Sequence, residues 1–100
     1  MADLEFVFQG KLWDYQGKGA WHFITLPAEI SANIKMLTSR HGFGSVRCTA
    51  IIKDAKWKTS LFPDAKSGCY FLPVKAAVRK SCNMVAGTDI AVRVEIDIGE

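Results

Sequence analysis

The sequence predicts a small, mainly β domain: a closed or double-split barrel of about six strands with two short helices and an internal pseudo-two-fold repeat. Three observations predict it. Short stretches of period-two alternation recur along the whole chain. Turn residues punctuate them at short intervals. A strand–Leu-Pro–helix–glycine–strand unit also occurs twice, once from Trp21 and once from Cys69. Six short strands cannot cover their own apolar faces unless the sheet curls on itself, and short helices then plug the ends.

The elements follow in order. Leu4 to Trp13 alternates, with Leu4, Phe6, Phe8, Gly10 and Leu12 on one face, so it reads as a half-buried strand. Asp14 to Gly19 is the turn, and Trp21 to Leu26 returns as the second strand of a hairpin. Pro27 ends that strand and suits the first turn of a helix. Ile30, Ile34 and Leu37 then mark the inner face of a helix over residues 28–39, capped near His41-Gly42. Ser45 to Lys53 is a strand with Val46, Cys48, Ala50 and Ile52 inward. Asp54-Ala55 is a tight turn. Lys56 to Phe62 is a strand with Trp57, Thr59 and Leu61 on one face. Pro63 to Gly68 is a turn, Cys69 to Leu72 a short strand, and Val74 to Cys82 a helix with Val74, Val78 and Cys82 four apart. After a loop containing Gly87, the last strand places Ile90, Val92, Val94, Ile96 and Ile98 inward.

One hundred residues make one domain, 1–100, large enough for a core of its own. No apolar run approaches the roughly 20 residues of a membrane span. The start Met1-Ala2-Asp3-Leu4-Glu5 lacks the basic and apolar regions of a signal peptide. The expectation is a soluble cytoplasmic protein without membrane contact. Cys48, Cys69 and Cys82 are odd in number and widely spaced, which reads as reduced, packed thiols rather than a disulfide framework. With His22 and His41 as the sole histidines, no spacing supports a metal site, and no cofactor is expected.

Charge is uneven. Residues 1–44 are balanced, residues 45–80 carry eight basic side chains against Asp54 and Asp64, and residues 81–100 carry Arg93 against four acids. Such asymmetry suits an anionic partner, and equally an internal pairing of basic with acidic strands.

Several motifs in order carry a family resemblance. They are Trp21-x-Phe23-x-x-Leu26-Pro27, Gly42-Phe43-Gly44-Ser45-Val46, Trp57-Lys58-Thr59-Ser60-Leu61-Phe62-Pro63 and Gly68-Cys69-Tyr70-Phe71-Leu72-Pro73-Val74-Lys75-Ala76-Ala77-Val78-Arg79-Lys80. Together they make the chain resemble the bacterial family catalogued as domain of unknown function 1905. The resemblance covers nearly the whole chain and implies a small closed or split β-barrel with no established activity. In some proteins that domain is joined to a segment associated with bacteriocin protection, which is not among these 100 residues. The layout of the repeat also resembles the swapped-hairpin DNA-binding modules of transition-state regulators and antitoxins. Those are usually homodimers, whereas here both halves lie in one chain, so a monomer or weak dimer is expected.

Catalysis has little support. Neither histidine sits in a Ser/Cys–His–Asp pattern, and Asp54 and Asp64 occupy turns, where Asp belongs for backbone reasons. Gly42-Phe43-Gly44 follows a helix and reads as a cap rather than a phosphate cradle. Of the two predicted helix starts, only the one after Leu72-Pro73 carries cations: Lys75, Arg79 and Lys80. Lys56 to Pro63 interleaves cations, an indole and hydroxyls, a pattern that suits an acidic ligand and equally an edge strand protected by lysines.

The reading that combines these features is a non-enzymatic binding module for a small anionic ligand or an acidic peptide segment. Lys75 and Arg79 would supply charge, Trp57 and Tyr70 a stacking surface, and Thr59 and Ser60 hydrogen bonds. Two alternatives stand beside it: a nucleic-acid-binding protein using the basic middle segment, and a thiol-dependent enzyme using Cys69 near Lys66 and Lys75.

Overall fold

The computed structural model describes residues 4–15, 21–38 and 44–97. Within them the alternating stretches become strands β1 (Leu4–Asp14), β2 (His22–Thr25), β3 (Val46–Ile52), β4 (Ala55–Pro63), β5 (Tyr70–Pro73) and β6 (Asp89–Ile96), with helices α1 (Ala28–Leu37) and α2 (Ala76–Ser81). The strands close into an antiparallel barrel in the order β1-β2-β5-β4-β3-β6. Inward residues of all six strands, from Phe8, Leu12 and Ile24 to Tyr70, Leu72 and Val94, form one buried core.

Closure depends on stagger. β1 pairs with β6 through Leu4 to Lys11 and with β2 through Leu12 to Asp14. β4 likewise pairs with β3 through Ala55 to Leu61 and with β5 only through Phe62 and Pro63. Each long strand thus divides its length between two neighbours, and the sheet is split beside the unshared part of each. The strand order maps onto itself when β1, β2 and β3 are exchanged for β4, β5 and β6. The pairs Thr25↔Phe71 in the β2–β5 ladder and Thr49↔Glu95 in the β3–β6 ladder have the same separation in sequence.

The hairpin between β3 and β4 turns at Lys53-Asp54, one residue before the expected Asp54-Ala55, because Ile52 pairs with Ala55. Lys53 takes the left-handed conformation there, with φ 52°. Its Nζ donates to the carbonyl of Cys82 at 3.0 Å, satisfying an orphan carbonyl at the end of α2. α2 itself is shorter than the expected 74–82. The N–H of Val74 donates to the carbonyl of His22 at 3.0 Å, so the extended ladder continues past Pro73 before the helix begins. Asn83, at φ 52°, ends it in the left-handed region.

α1 corrects the expected inner face at one position. Ile34 is buried and Ile30 packs against the core as expected, whereas Leu37 is exposed and Ser31 and Thr38 are buried as well. Two hydroxyls sit on the buried stripe because each has a partner. Ser31 Oγ accepts the N–H of Tyr70 at 3.1 Å, and Thr38 Oγ1 donates to the carbonyl of Ile34 at 2.9 Å. The expected turn at 16–19, the helix end near His41-Gly42, and Ile98 lie outside the described residues.

At Gly10, a Cβ would stand 2.5 Å from Cγ2 of the fully buried Ile24 and 3.0 Å from the carbonyl oxygen of Thr25. The site tolerates no side chain, which is what lets β1 lie close over β2. Gly10→Ala is therefore expected to destabilise the fold by about 1–3 kcal/mol through overpacking. Ser31→Ala takes the partner from a buried N–H and is expected to cost about 1–3 kcal/mol. Urea unfolding midpoints check both, and an unchanged midpoint for Gly10→Ala would contradict the close approach.

Candidate functional site

β4 leaves β5 after Phe62, so toward its start the two strands diverge. The split between Trp57–Thr59 of β4 and the Pro73–Ala76 junction of β5 and α2 holds a groove of about 480 Å³. Trp21 and His22 close its far side, and Lys58 and Lys75 are its charged lining residues. Neither lysine makes an ion pair among the described residues. His22 belongs to the groove wall, and its Nδ1 is buried without a hydrogen-bond partner among the described residues.

Aromatic packing holds Trp21 in place. Its indole stacks on Phe23 at 6.2 Å and 10°. Phe23 in turn contacts Trp13 and Phe71 on the outer face of β1, β2 and β5, at 5.1 and 6.0 Å. Trp13 Nε1–H donates to Thr25 Oγ1 at 2.8 Å, which fixes the far end of this cluster away from the groove.

A second, longer groove of about 920 Å³ adjoins the first and shares Trp21, Lys58, Thr59 and Pro73 with it. Its floor is a cross-strand row on the outer face of four strands: Lys58 opposite Thr49, Thr49 opposite Glu95, Glu95 opposite Glu5. Ser60, Arg47 and Asp97 line it beside that row, and Phe62 contributes an exposed ring.

Of the six residues expected to form the site, the structure brings Trp57, Thr59 and Lys75 together in the smaller groove and places Ser60 in the adjoining one. Two are placed elsewhere. Tyr70 is fully buried in the core, the largest such side chain, so its ring fills the barrel and lines neither groove. Arg79 folds back along α2, its Nε donating to the carbonyl of Val74 at 3.3 Å, and lines neither groove. Sequence reasoning missed Trp21 and His22 as lining residues. The signal was the repeat itself. Aligning the two Leu-Pro pairs sets β2 antiparallel to β5, and that register carries His22 to Val74.

The thiols divide by burial. Cys48 is buried, and desolvation pushes its pKa up to about 12. Cys82 is buried, its Sγ 3.6 Å from the carbonyl oxygen of Ile52. Cys69 is half-buried in the turn before β5, its N–H donating to Ser67 Oγ at 3.1 Å. Among the described residues, no group of three or more His, Cys, Asp or Glu could hold a metal ion, and no helix is long and apolar enough to cross a membrane.

Residues 8–94 match the family model described as Domain of unknown function (DUF1905), and the chain belongs to that family. No curated protein matches it.

At pH 8, a maleimide reagent is expected to label Cys69 in the native protein, and Cys48 and Cys82 only on unfolding, as read by mass spectrometry. Because the folded pKa of Cys48 lies above its ordinary value of 9.0, its contribution to stability is full below pH 9 and is lost as pH rises from 9 toward 12. Relative to Cys48→Ala, the wild type should lose about 1.4 kcal/mol per pH unit across that window. Parallel stability curves for the two proteins would contradict this.

Proposed function

We propose that this member of the DUF1905 family is a non-enzymatic binding module whose smaller groove takes a small anionic ligand with a flat apolar part. The observation that carries this reading is the lining of the split between β4 and α2. Its charged residues are two lysines without ion-pair partners among the described residues, and two indoles line it with them. Lysines left without partners in a concave, largely apolar site favour an anion, because low-dielectric walls strengthen the attraction. Trp21 and Trp57 offer faces for a ring, and Thr59 a hydroxyl. The buried, unsatisfied Nδ1 of His22 is a cost of the kind that binding sites carry. The groove's size suits a small molecule. The acids Glu5, Glu95 and Asp97 beside Lys58 weigh against the long basic surface that nucleic acid requires.

The reading predicts that adenosine monophosphate, used as a probe with both a ring and a phosphate, raises the Tm of the wild type. Lys58→Ala and Lys75→Ala should each weaken its binding about tenfold by calorimetry, equivalent to about 1.4 kcal/mol. Trp57→Leu should weaken adenosine monophosphate more than pyrophosphate. The reading fails if neither probe stabilises the wild type more than the double variant Lys58→Ala/Lys75→Ala.

A further inference from the structure

The longer groove has a different chemistry, and its floor is a straight row of outward side chains. Lys58, Thr49, Glu95 and Glu5 lie side by side on four neighbouring strands. Three strand spacings make the row about 14 Å long. One end is cationic at Lys58, and Arg47 lies one row along on β3, between Ser60 of β4 and Asp97, whose N–H donates to the Arg47 carbonyl at 2.9 Å. The other end opposes two carboxylates directly, Glu5 across from Glu95, an arrangement that costs stability unless a cation intervenes. Glu5 has such a cation, since Arg93 Nε lies 3.1 Å from its Oε2. Glu95 has none: among the described residues, Glu95, Arg47 and Lys58 make no ion pair. The groove thus holds Lys58 and Glu95, charges of opposite sign without ion-pair partners among the described residues, two strands apart with a threonine between them.

We infer that this groove binds a short extended peptide with free termini, its ammonium group at Glu95 and its carboxylate at Lys58. Three extended residues span about 10 Å, the two strand spacings from Lys58 to Glu95. The hydroxyls of Thr49 and Ser60 face the peptide's amide groups, and the exposed rings of Trp21 and Phe62 at the cationic end take an apolar C-terminal side chain. Both ladders of β3 and β6 are occupied along this floor, so recognition runs through side chains and not through strand addition. This binding shares Lys58 and Trp21 with the anion groove and differs from it in the rest: Lys75 and Trp57 take no part in it, and Thr49 and Glu95 take no part in the other.

The test uses the tripeptide Ala-Ala-Phe with free termini, its N-acetylated form and its C-amidated form, titrated into the intact chain by calorimetry. The free peptide is expected to bind at least tenfold more tightly than either blocked form. Glu95→Gln should reduce its affinity to that of the N-acetylated peptide on wild type, and acetylation should then cause no further loss. Because it relieves the opposed carboxylates, Glu95→Gln should also raise the Tm of the free protein, which keeps a folding defect from imitating the binding loss. Lys75→Ala should leave the peptide's affinity unchanged even as it weakens binding of adenosine monophosphate about tenfold. Equal affinity of free and blocked peptides overturns the inference. So does sedimentation showing a wild-type dimer that Glu95→Gln dissociates, because a second copy would then occupy this face.

Discussion

The structure depends on how two strands divide their hydrogen bonds. β1 gives its first eight residues to β6 and its last three to β2, and β4 gives all but its last two to β3. A strand has two edges, and in a closed barrel both must find partners or be covered. Stagger on this scale closes the barrel at the cost of a split beside each long strand. The split next to β4 is where Trp57, Lys58 and Thr59 face the start of α2 across a groove. The close approach at Gly10 and the hydrogen bonds from Val74 to His22 and from Tyr70 to Ser31 set how far the two halves overlap. The groove is therefore a consequence of barrel closure, and substitutions that shift the overlap shift the groove with it.

Backbone symmetry is not matched by charge. The row across the outer face centres on Thr49↔Glu95, and the residues at its two ends, Lys58 on β4 and Glu5 on β1, are equivalent under the exchange of halves. Two residues after each Leu-Pro pair, the chain carries Lys75 in the second unit and Glu29 in the first. At both places a lysine in one half answers a glutamate in the other. A barrel whose strand order is symmetric needs apolar strand faces on both sides of the exchange. It does not need charge on either, so the inversion points to a role for side chains that face outward.

The apolar alternation of the strands was legible because one face of each is buried, and a period of two leaves little choice of register. The helices were less legible. On α1 Ile30 and Ile34 face the core as their apolar spacing implies, but Leu37 is exposed and the hydroxyl residues Ser31 and Thr38 are buried. Hydropathy cannot reveal a buried hydroxyl whose partner, like the N–H of Tyr70, lies 39 positions away. The same limit shaped the site. Tyr70 shares a sequence motif with Lys75, and its amphipathic ring reads as a stacking surface, yet strand parity turns it into the core. Arg79 shares a helical face with Lys75 in sequence, but a helix of six residues with its first carbonyls nearby offers the guanidinium a local acceptor. Lys58, Thr59 and Trp57 are neighbours in sequence and remained together in space, whereas Trp21 and His22 arrive through the pairing of β2 with β5.

The three tryptophans provide the most direct test of the central claim, that ligand binding occurs in the split beside β4. Trp21 and Trp57 line that groove, while Trp13 is tied to Thr25 on the outer aromatic cluster. Each indole N–H gives its own signal in a proton–nitrogen correlation spectrum. Titration with adenosine monophosphate should move the Trp21 and Trp57 signals along one saturable curve and leave that of Trp13 in place. Movement of Trp13 with the other two unmoved would contradict the account.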